Sequence, residues 1–216
     1  MKLPAPLLWL VAVLLSGCAN GQGRPDLPYG SWNIGLGAPS HMEVWVESVD
    51  VIDRRGLVFE RVHSGTVSYT GNPVGWPKRV GGGGGKSISG VDLPEFIFVR
   101  WQSLAEPQTY NVRINIPLWV REEMLKPREV ADCSRKEPRP TKIAYLSTFD
   151  IILAPGGVAK IWLTGGCLKS IELGRFEGKI SKDGPDMGNN NGQYAYPPSP
   201  EAEAYIKKFG IPYGSW

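Results

Sequence analysis

Hydrophobic and polar residues alternate along much of this chain with a period of two, which is typical of β-strands. Val44 and Val46 are apolar positions on one face of such a strand. A few residues later, Val49 and Val51 are apolar on the opposite face. Because a strand keeps its faces unless the register changes, the shift near Ser48 predicts a β-bulge or a break between two strands.

Similar patterns predict strands along the rest of the chain. Residues 96–99 are apolar on both faces, as a central strand requires, whereas residues 110–116 alternate with polar residues and have one wet face. The other predicted strands cover residues 58–69, 149–154, 158–163 and 171–180. Their short connections favour a mainly β fold, which we expect to be an antiparallel β-sandwich or an open barrel.

Two segments predict helices. The first is one short internal helix over residues 118–125, which lies between Pro117 and Pro127. The second is a C-terminal helix that begins after Ser199, a good N-cap, with acidic residues in its first turn and lysines in its last. Gly210 follows that last turn and predicts the helix end.

The start of the chain has the composition of an export signal. A short apolar stretch is followed by Leu15-Ser16-Gly17-Cys18, which resembles the lipobox of bacterial lipoproteins at every position. The resemblance implies a signal peptide over residues 1–17, with diacylglycerol on the Cys18 thiol and acylation of the freed amine. Each buried methylene contributes about 0.8 kcal/mol, so two or three acyl chains anchor a protein durably.

The lipobox fixes the expected organisation and location of the mature protein. We expect a lipidated tether over residues 18–28 and a single periplasmic β-rich domain over residues 29–216. An aspartate directly after the lipidated cysteine resembles an inner-membrane retention signal. This chain has Ala19 at that position instead. In a Gram-negative cell this favours the outer membrane, with the domain facing the periplasm, over the inner membrane.

The charge of the chain argues against a nucleic-acid partner. The chain has 24 basic and 21 acidic residues, a net charge of +3, without the clustered basic face that nucleic acid requires. We therefore expect no nucleic-acid partner.

Beyond Cys18 there are two cysteines, Cys133 and Cys167. In an oxidising periplasm they are candidates for a disulfide, with two unpaired thiols as the alternative.

The sequence lacks the familiar catalytic motifs. It has no Gly-x-Ser-x-Gly elbow, and its two histidines, His41 and His63, do not complete the common zinc triads. The glycine run before Lys86 departs from the phosphate-binding loop because Val80 stands where that motif needs glycine. We expect no cofactor, no metal and no enzymatic activity. A hydrolase built on carboxylates such as Glu106 and Asp150 is the less favoured alternative.

Trp76 is the candidate recognition residue. It lies in the Gly75-Trp76-Pro77 loop, where an aromatic side chain is exposed more often than within a strand. Exposed aromatics anchor sugars and partner proteins. The alternative is a tryptophan that packs down on the domain as a lid.

Several blocks of the sequence resemble one family of Gram-negative lipoproteins, defined as a domain of unknown function (2931). The blocks are residues 100–106 with Thr109-Tyr110, Ala154-Pro155-Gly156-Gly157, Trp162-Leu163-Thr164-Gly165 and residues 210–216. The likeness spans nearly the whole mature domain. Since the family has no established activity, the resemblance implies no catalytic residues. Small lipoproteins of this general kind can neighbour secreted antibacterial effectors and act as their immunity partners, by analogy.

These observations together predict a protein that works by binding. Its expected partners are the lipid bilayer, through acyl chains on Cys18, and a protein, either an effector or another envelope protein. The leading hypothesis is an immunity protein against a secreted antibacterial effector. The alternatives are a carbohydrate-binding or cell-wall-binding module and a structural envelope lipoprotein.

Overall fold

A computed structural model of the chain describes residues 23–68, 72–77, 80, 84–106, 108–134, 140–191, 193–194 and 196–216. The predicted signal peptide and Cys18 lie outside the described residues, as does most of the glycine run before Lys86.

Strands form most of the regular structure. They are β1 (Ser31–Gly37), β2 (Val44–Asp53), β3 (Val58–Val67), β4 (Gly84–Ser89), β5 (Pro94–Ser103), β6 (Gln108–Asn115), β7 (Arg128–Ala131), β8 (Thr141–Ala144), β9 (Thr148–Ala154), β10 (Val158–Thr164), β11 (Ile171–Glu177) and β12 (Lys179–Ile180). The predicted strand over 171–180 is thus two strands, β11 and β12, which pair with different neighbours.

The strands form two five-stranded sheets and one hairpin. Sheet A has the order β11-β10-β9-β1-β4, and sheet B has the order β12-β6-β5-β2-β3. The hairpin pairs β7 with β8. Neighbouring strands are antiparallel except β1 and β9, which run parallel. Within the described residues neither sheet closes on itself. The prediction of a mainly β, antiparallel fold is therefore confirmed, and of the two predicted forms the fold agrees with the β-sandwich.

The two sheets enclose one hydrophobic core. Sheet A contributes Trp32, Phe149 and Ile161, and sheet B contributes Val99 and Trp101, all of them fully buried. Removing this apolar surface from water provides the main stabilisation of the sandwich. As predicted, β5 is the central strand of sheet B, and β6 alternates buried and wetter residues.

A β-bulge interrupts β2, where the sequence predicts a change of face. Val46 pairs with Trp101 and Ser48 pairs with Arg100, so Glu47 is the extra residue of the bulge. The bulge returns the later apolar residues to the core face. Val44, Val46, Val49 and Val51 are therefore all buried in the same core.

Two α-helices flank the sheets, as predicted. Helix α1 covers Leu118–Leu125 and helix α2 covers Pro200–Phe209. The Ser199 hydroxyl accepts a hydrogen bond from the Ala202 amide at 3.2 Å, which caps α2. In the part of the chain that the structure describes, no helix combines the length and hydrophobicity needed to cross a bilayer.

A disulfide joins Cys133 and Cys167. It connects the end of the β7–β8 hairpin to the loop between β10 and β11, across 34 positions of sequence. The hairpin pairs with neither large sheet, so this bond is a covalent link between the hairpin and the sandwich.

Loss of this disulfide should destabilise the protein. In the chain-entropy model, closing a loop of this length contributes about 4 kcal/mol to the free energy of unfolding. The Cys133→Ser/Cys167→Ser variant should therefore unfold at a lower urea concentration than the native protein. A reducing agent should lower the midpoint of the native protein alone. Equal midpoints for both proteins under oxidising conditions would contradict the expectation.

Candidate functional site

A buried ion pair lies on the outer face of sheet B, next to the bulge. The Arg100 Nε donates to Glu47 Oε2 at 2.6 Å, and both side chains are about 5% exposed. Arg100 also donates to the Ser181 hydroxyl and to the Gly184 carbonyl. The Asp186 amide donates to the other Glu47 oxygen at 2.8 Å. This one pair therefore fastens the segment after β12 onto the sheet.

An acidic cleft of about 410 Å³ lies beside this pair. Its lining residues are Trp45, Glu47, Ser48, Asp50, Glu60, Arg61, Ser64, Gly65, Asp186 and Met187. The lining includes four carboxylates and one guanidinium. Arg100 balances Glu47 from beneath, and the remaining three carboxylates outnumber Arg61. The cleft thus has an excess of negative charge.

Apolar side chains border the acidic cleft. Trp45 and Tyr196 meet edge to face, with ring centroids 4.7 Å apart. Tyr196 is 46% exposed and Met187 is 54% exposed. The Gln102 amide donates to the Tyr196 carbonyl at 2.9 Å and holds this border in place. Negative charge and accessible apolar surface therefore occur side by side.

Three residues of the cleft have an unusual backbone. Arg61, Asp186 and Met187 have φ of 52°, 51° and 51°, in the left-handed region that residues with a side chain rarely adopt. Carboxylates of the cleft accept hydrogen bonds from the backbone amides of all three residues. The Arg61 amide donates to Asp50 at 2.8 Å, and the Asp186 and Met187 amides donate to Glu47 at 2.8 and 3.3 Å. Such strain concentrates at functional sites.

Trp76 is half-buried on the outer face of sheet A. Its ring meets that of Trp162 edge to face at 6.0 Å, and the Lys160 ammonium lies 5.5 Å from the Trp76 centroid. It also packs against a cluster that contains Trp216. The observed packing resembles a lid, and recognition by Trp76 stays a prediction.

The structure separates the two carboxylates of the hydrolase alternative. Glu106 accepts hydrogen bonds from the Gly156 amide and, at 2.6 Å, from the Tyr213 hydroxyl, which joins the C-terminal segment to the β9–β10 turn. Burial raises the pKa of Tyr213, and the neighbouring Glu106 acts in the same direction. Asp150 lies earlier in β9. The four residues between Asp150 and the turn extend over about 13 Å.

Asp150 is a buried carboxyl group on the outer face of sheet A. It is 5% exposed, and Thr164 donates a hydrogen bond to its Oδ2 at 2.6 Å. Burial raises the pKa of Asp150 above its ordinary value, and the Thr164 hydrogen bond offsets part of the rise.

His41, His63 and the Cys133–Cys167 disulfide lie outside the lining of the acidic cleft. His41 stacks on Tyr205 of α2 with centroids 4.5 Å apart, whereas His63 lies on β3 with its Nδ1 3.1 Å from the Ser64 carbonyl. Among the described residues, no group of three or more His, Cys, Asp or Glu side chains is arranged to hold a metal ion.

Sequence reasoning did not identify the residues of the acidic cleft. A usable indication was the change of face near Ser48, because β-bulges often occur next to functional sites and redirect a side chain. No local pattern indicates that Asp186, 139 positions after Glu47, lines the cleft, or that the still more distant Tyr196 packs beside Trp45 at its border.

Comparison with known families gives the chain its classification. A family model described as "Protein of unknown function (DUF2931)" matches residues 19–214, and the chain belongs to this family. No curated protein and no solved structure matches it.

Because Asp150 is buried, we expect the native protein and the Asp150→Asn variant to differ in stability by an amount that depends on pH. Because its pKa is raised in the folded state, folding favours the protonated form, and ionisation of Asp150 lowers the stability as pH rises from about 3.8 through the folded-state pKa. Asp150→Asn keeps the shape and the Thr164 partner without the charge.

We therefore expect Asp150→Asn to have a larger free energy of unfolding than the native protein at pH 7. The difference should shrink as pH falls through the folded-state pKa toward the unfolded value. Urea unfolding of both proteins over a pH series measures this. A difference that stays constant with pH would contradict the expectation.

Proposed function

We propose that this protein is a lipid-anchored envelope protein that binds a basic segment of a partner protein in the acidic cleft. The observation that carries the proposal is the combination of unbalanced carboxylates with the accessible Trp45–Tyr196–Met187 border. Complementary charge accelerates and orients protein association. Tryptophan and tyrosine supply much of the binding energy in protein interfaces.

The lining of the cleft suits side chains of such a segment. A lysine or arginine has an apolar stem and a charged head, so it can cover Trp45 while its charge reaches Asp50 or Glu60. The ion pair beneath the cleft holds the surface in place before binding. A site that is ordered in advance loses less entropy when the partner binds.

The proposed location is the periplasmic face of the outer membrane. It rests on the lipobox at Leu15-Ser16-Gly17-Cys18 and on Ala19. An immunity protein against a secreted antibacterial effector has to meet its effector in the periplasm, and a tether at the membrane keeps it there. We propose this role, with the effector supplying the basic segment.

Variants of the cleft test the binding role. Trp45→Ala should weaken partner binding by about 2 kcal/mol, as removal of an interface hot spot does. Glu60→Lys should slow association, because the residue is exposed and its charge steers the partner. The matched controls are Trp119→Ala, an exposed tryptophan on α1, and Glu201→Lys, an exposed residue of α2.

The measurement uses a soluble form that lacks the signal peptide and Cys18, with a synthetic peptide rich in lysine and arginine as the probe. Surface plasmon resonance at rising salt should show weaker binding, since salt screens exposed charge. Equal affinities for Trp45→Ala and Trp119→Ala would exclude the acidic cleft. Sedimentation with peptidoglycan that Trp45→Ala alone abolishes would favour the cell-wall alternative.

Lipidation is tested on the protein purified from membranes. Intact-mass measurement should show a chain that begins at Cys18 and carries acyl groups. Cys18→Ser should move the protein from the membrane fraction to the soluble fraction or leave it unprocessed. A native protein with an unmodified Cys18 thiol would contradict the anchor, without affecting the cleft.

A further inference from the structure

The outer face of sheet A contains a second concave site, separate from the acidic cleft. It is a groove of about 480 Å³, which is a usual size for a small-molecule site. The residues at the bottom of the groove form two rows, in each of which neighbouring residues are paired across adjacent strands. One row runs from Ser87 through Asn33 and Thr148 to Thr164, and the next includes Gly35 and Asp150. We call it the Asp150 groove.

Glycine makes room for the Asp150 side chain. Gly35 pairs with Asp150 in the parallel register of β1 and β9. A Cβ added at Gly35 would overlap the Asp150 Oδ1 atom. The carboxylate therefore lies across the neighbouring strand, along the floor of the groove.

The charge of Asp150 has no cationic partner among the described residues. Its Oδ2 accepts the Thr164 hydroxyl, and no described lysine or arginine forms an ion pair with it. Lys160 lies on the same face of β10, but it pairs with Glu172 at 3.0 Å and lies against two indole rings. A charged residue that is only 5% exposed and has no counter-charge is costly, and a cationic ligand would remove that cost.

The other residues that line the groove favour a primary ammonium ion over other kinds of ligand. Among the described lining residues there is no basic side chain to hold an anion and no aromatic ring to stack on a sugar or a quaternary amine. The polar groups are instead the hydroxyls of Ser87, Thr148 and Thr164 and the Asn33 amide. An alkylammonium group donates three hydrogen bonds, and Asp150 Oδ1 together with hydroxyl and amide oxygens can accept them.

We propose that the Asp150 groove binds the ammonium group of a primary amine, with Asp150 as its counter-ion. The amine is either a free small molecule or the side chain of a lysine in a protein. This site is on sheet A, whereas the acidic cleft is on sheet B. A negative result at one site therefore leaves the proposal for the other unaffected.

The test is a titration followed by backbone amide NMR on the soluble protein. The n-butylammonium ion represents a free amine, and Nα-acetyl-lysine amide represents a lysine side chain. Tetramethylammonium has the same charge but no N–H donor. We expect saturable shifts of the Gly35, Thr164 and Gly165 amides with one or both primary amines, and none with tetramethylammonium. Preference for n-butylammonium identifies a small-molecule site, and preference for the lysine derivative identifies a protein-binding site.

Variants link the shifts to Asp150. Asp150→Asn should weaken amine binding at least tenfold. The matched control is Glu177→Gln, which removes an exposed carboxylate of β11 outside the groove and should leave binding unchanged. Absence of saturable shifts in the native protein would overturn the proposal. So would equal affinity in Asp150→Asn, or equal binding of tetramethylammonium. Binding of the cleft partner by Asp150→Asn should be unchanged.

Discussion

The bulge at Glu47 links the hydrophobic core to the outer face of sheet B. Without an extra residue, Val44 and Val46 would face the opposite side of sheet B from Val49 and Val51, and half of the strand would lose its place in the core. The bulge brings all four to one face and leaves the Glu47 carboxylate on the other. The same irregularity thus completes the hydrophobic core and supplies a buried charge.

That buried charge organises the outer face of sheet B. A buried carboxylate needs a partner with good geometry, and removal of one member of such a pair typically costs about 3–5 kcal/mol. Arg100 meets this need and also binds the segment that carries Asp186 and Met187. Attachment of this segment creates the wall of the acidic cleft. The cleft is therefore a consequence of how the bulge is neutralised.

The two outer faces of the sandwich have different chemistry on one scaffold. Sheet B carries charge, aromatic rings and a strained backbone around an open cleft. Sheet A carries hydroxyls, glycines and a single carboxylate whose charge has no cationic partner among the described residues. Trp76 and Trp162 cover a neighbouring part of sheet A. Since the core is shared, variants of one outer face can be examined while the other serves as an internal control.

Local features of the chain were enough to predict α2, the alternation of β6 and the position of the bulge. These features depend on periodicity, capping and turn residues that lie close together in the chain. Pairing between strands that are distant in the chain places Gly35 beside Asp150 and Arg100 beside Glu47. The tertiary structure also brings Cys133 to Cys167. Such contacts between distant residues follow from the packing of the whole sandwich, so no local pattern encodes either the acidic cleft or the Asp150 groove.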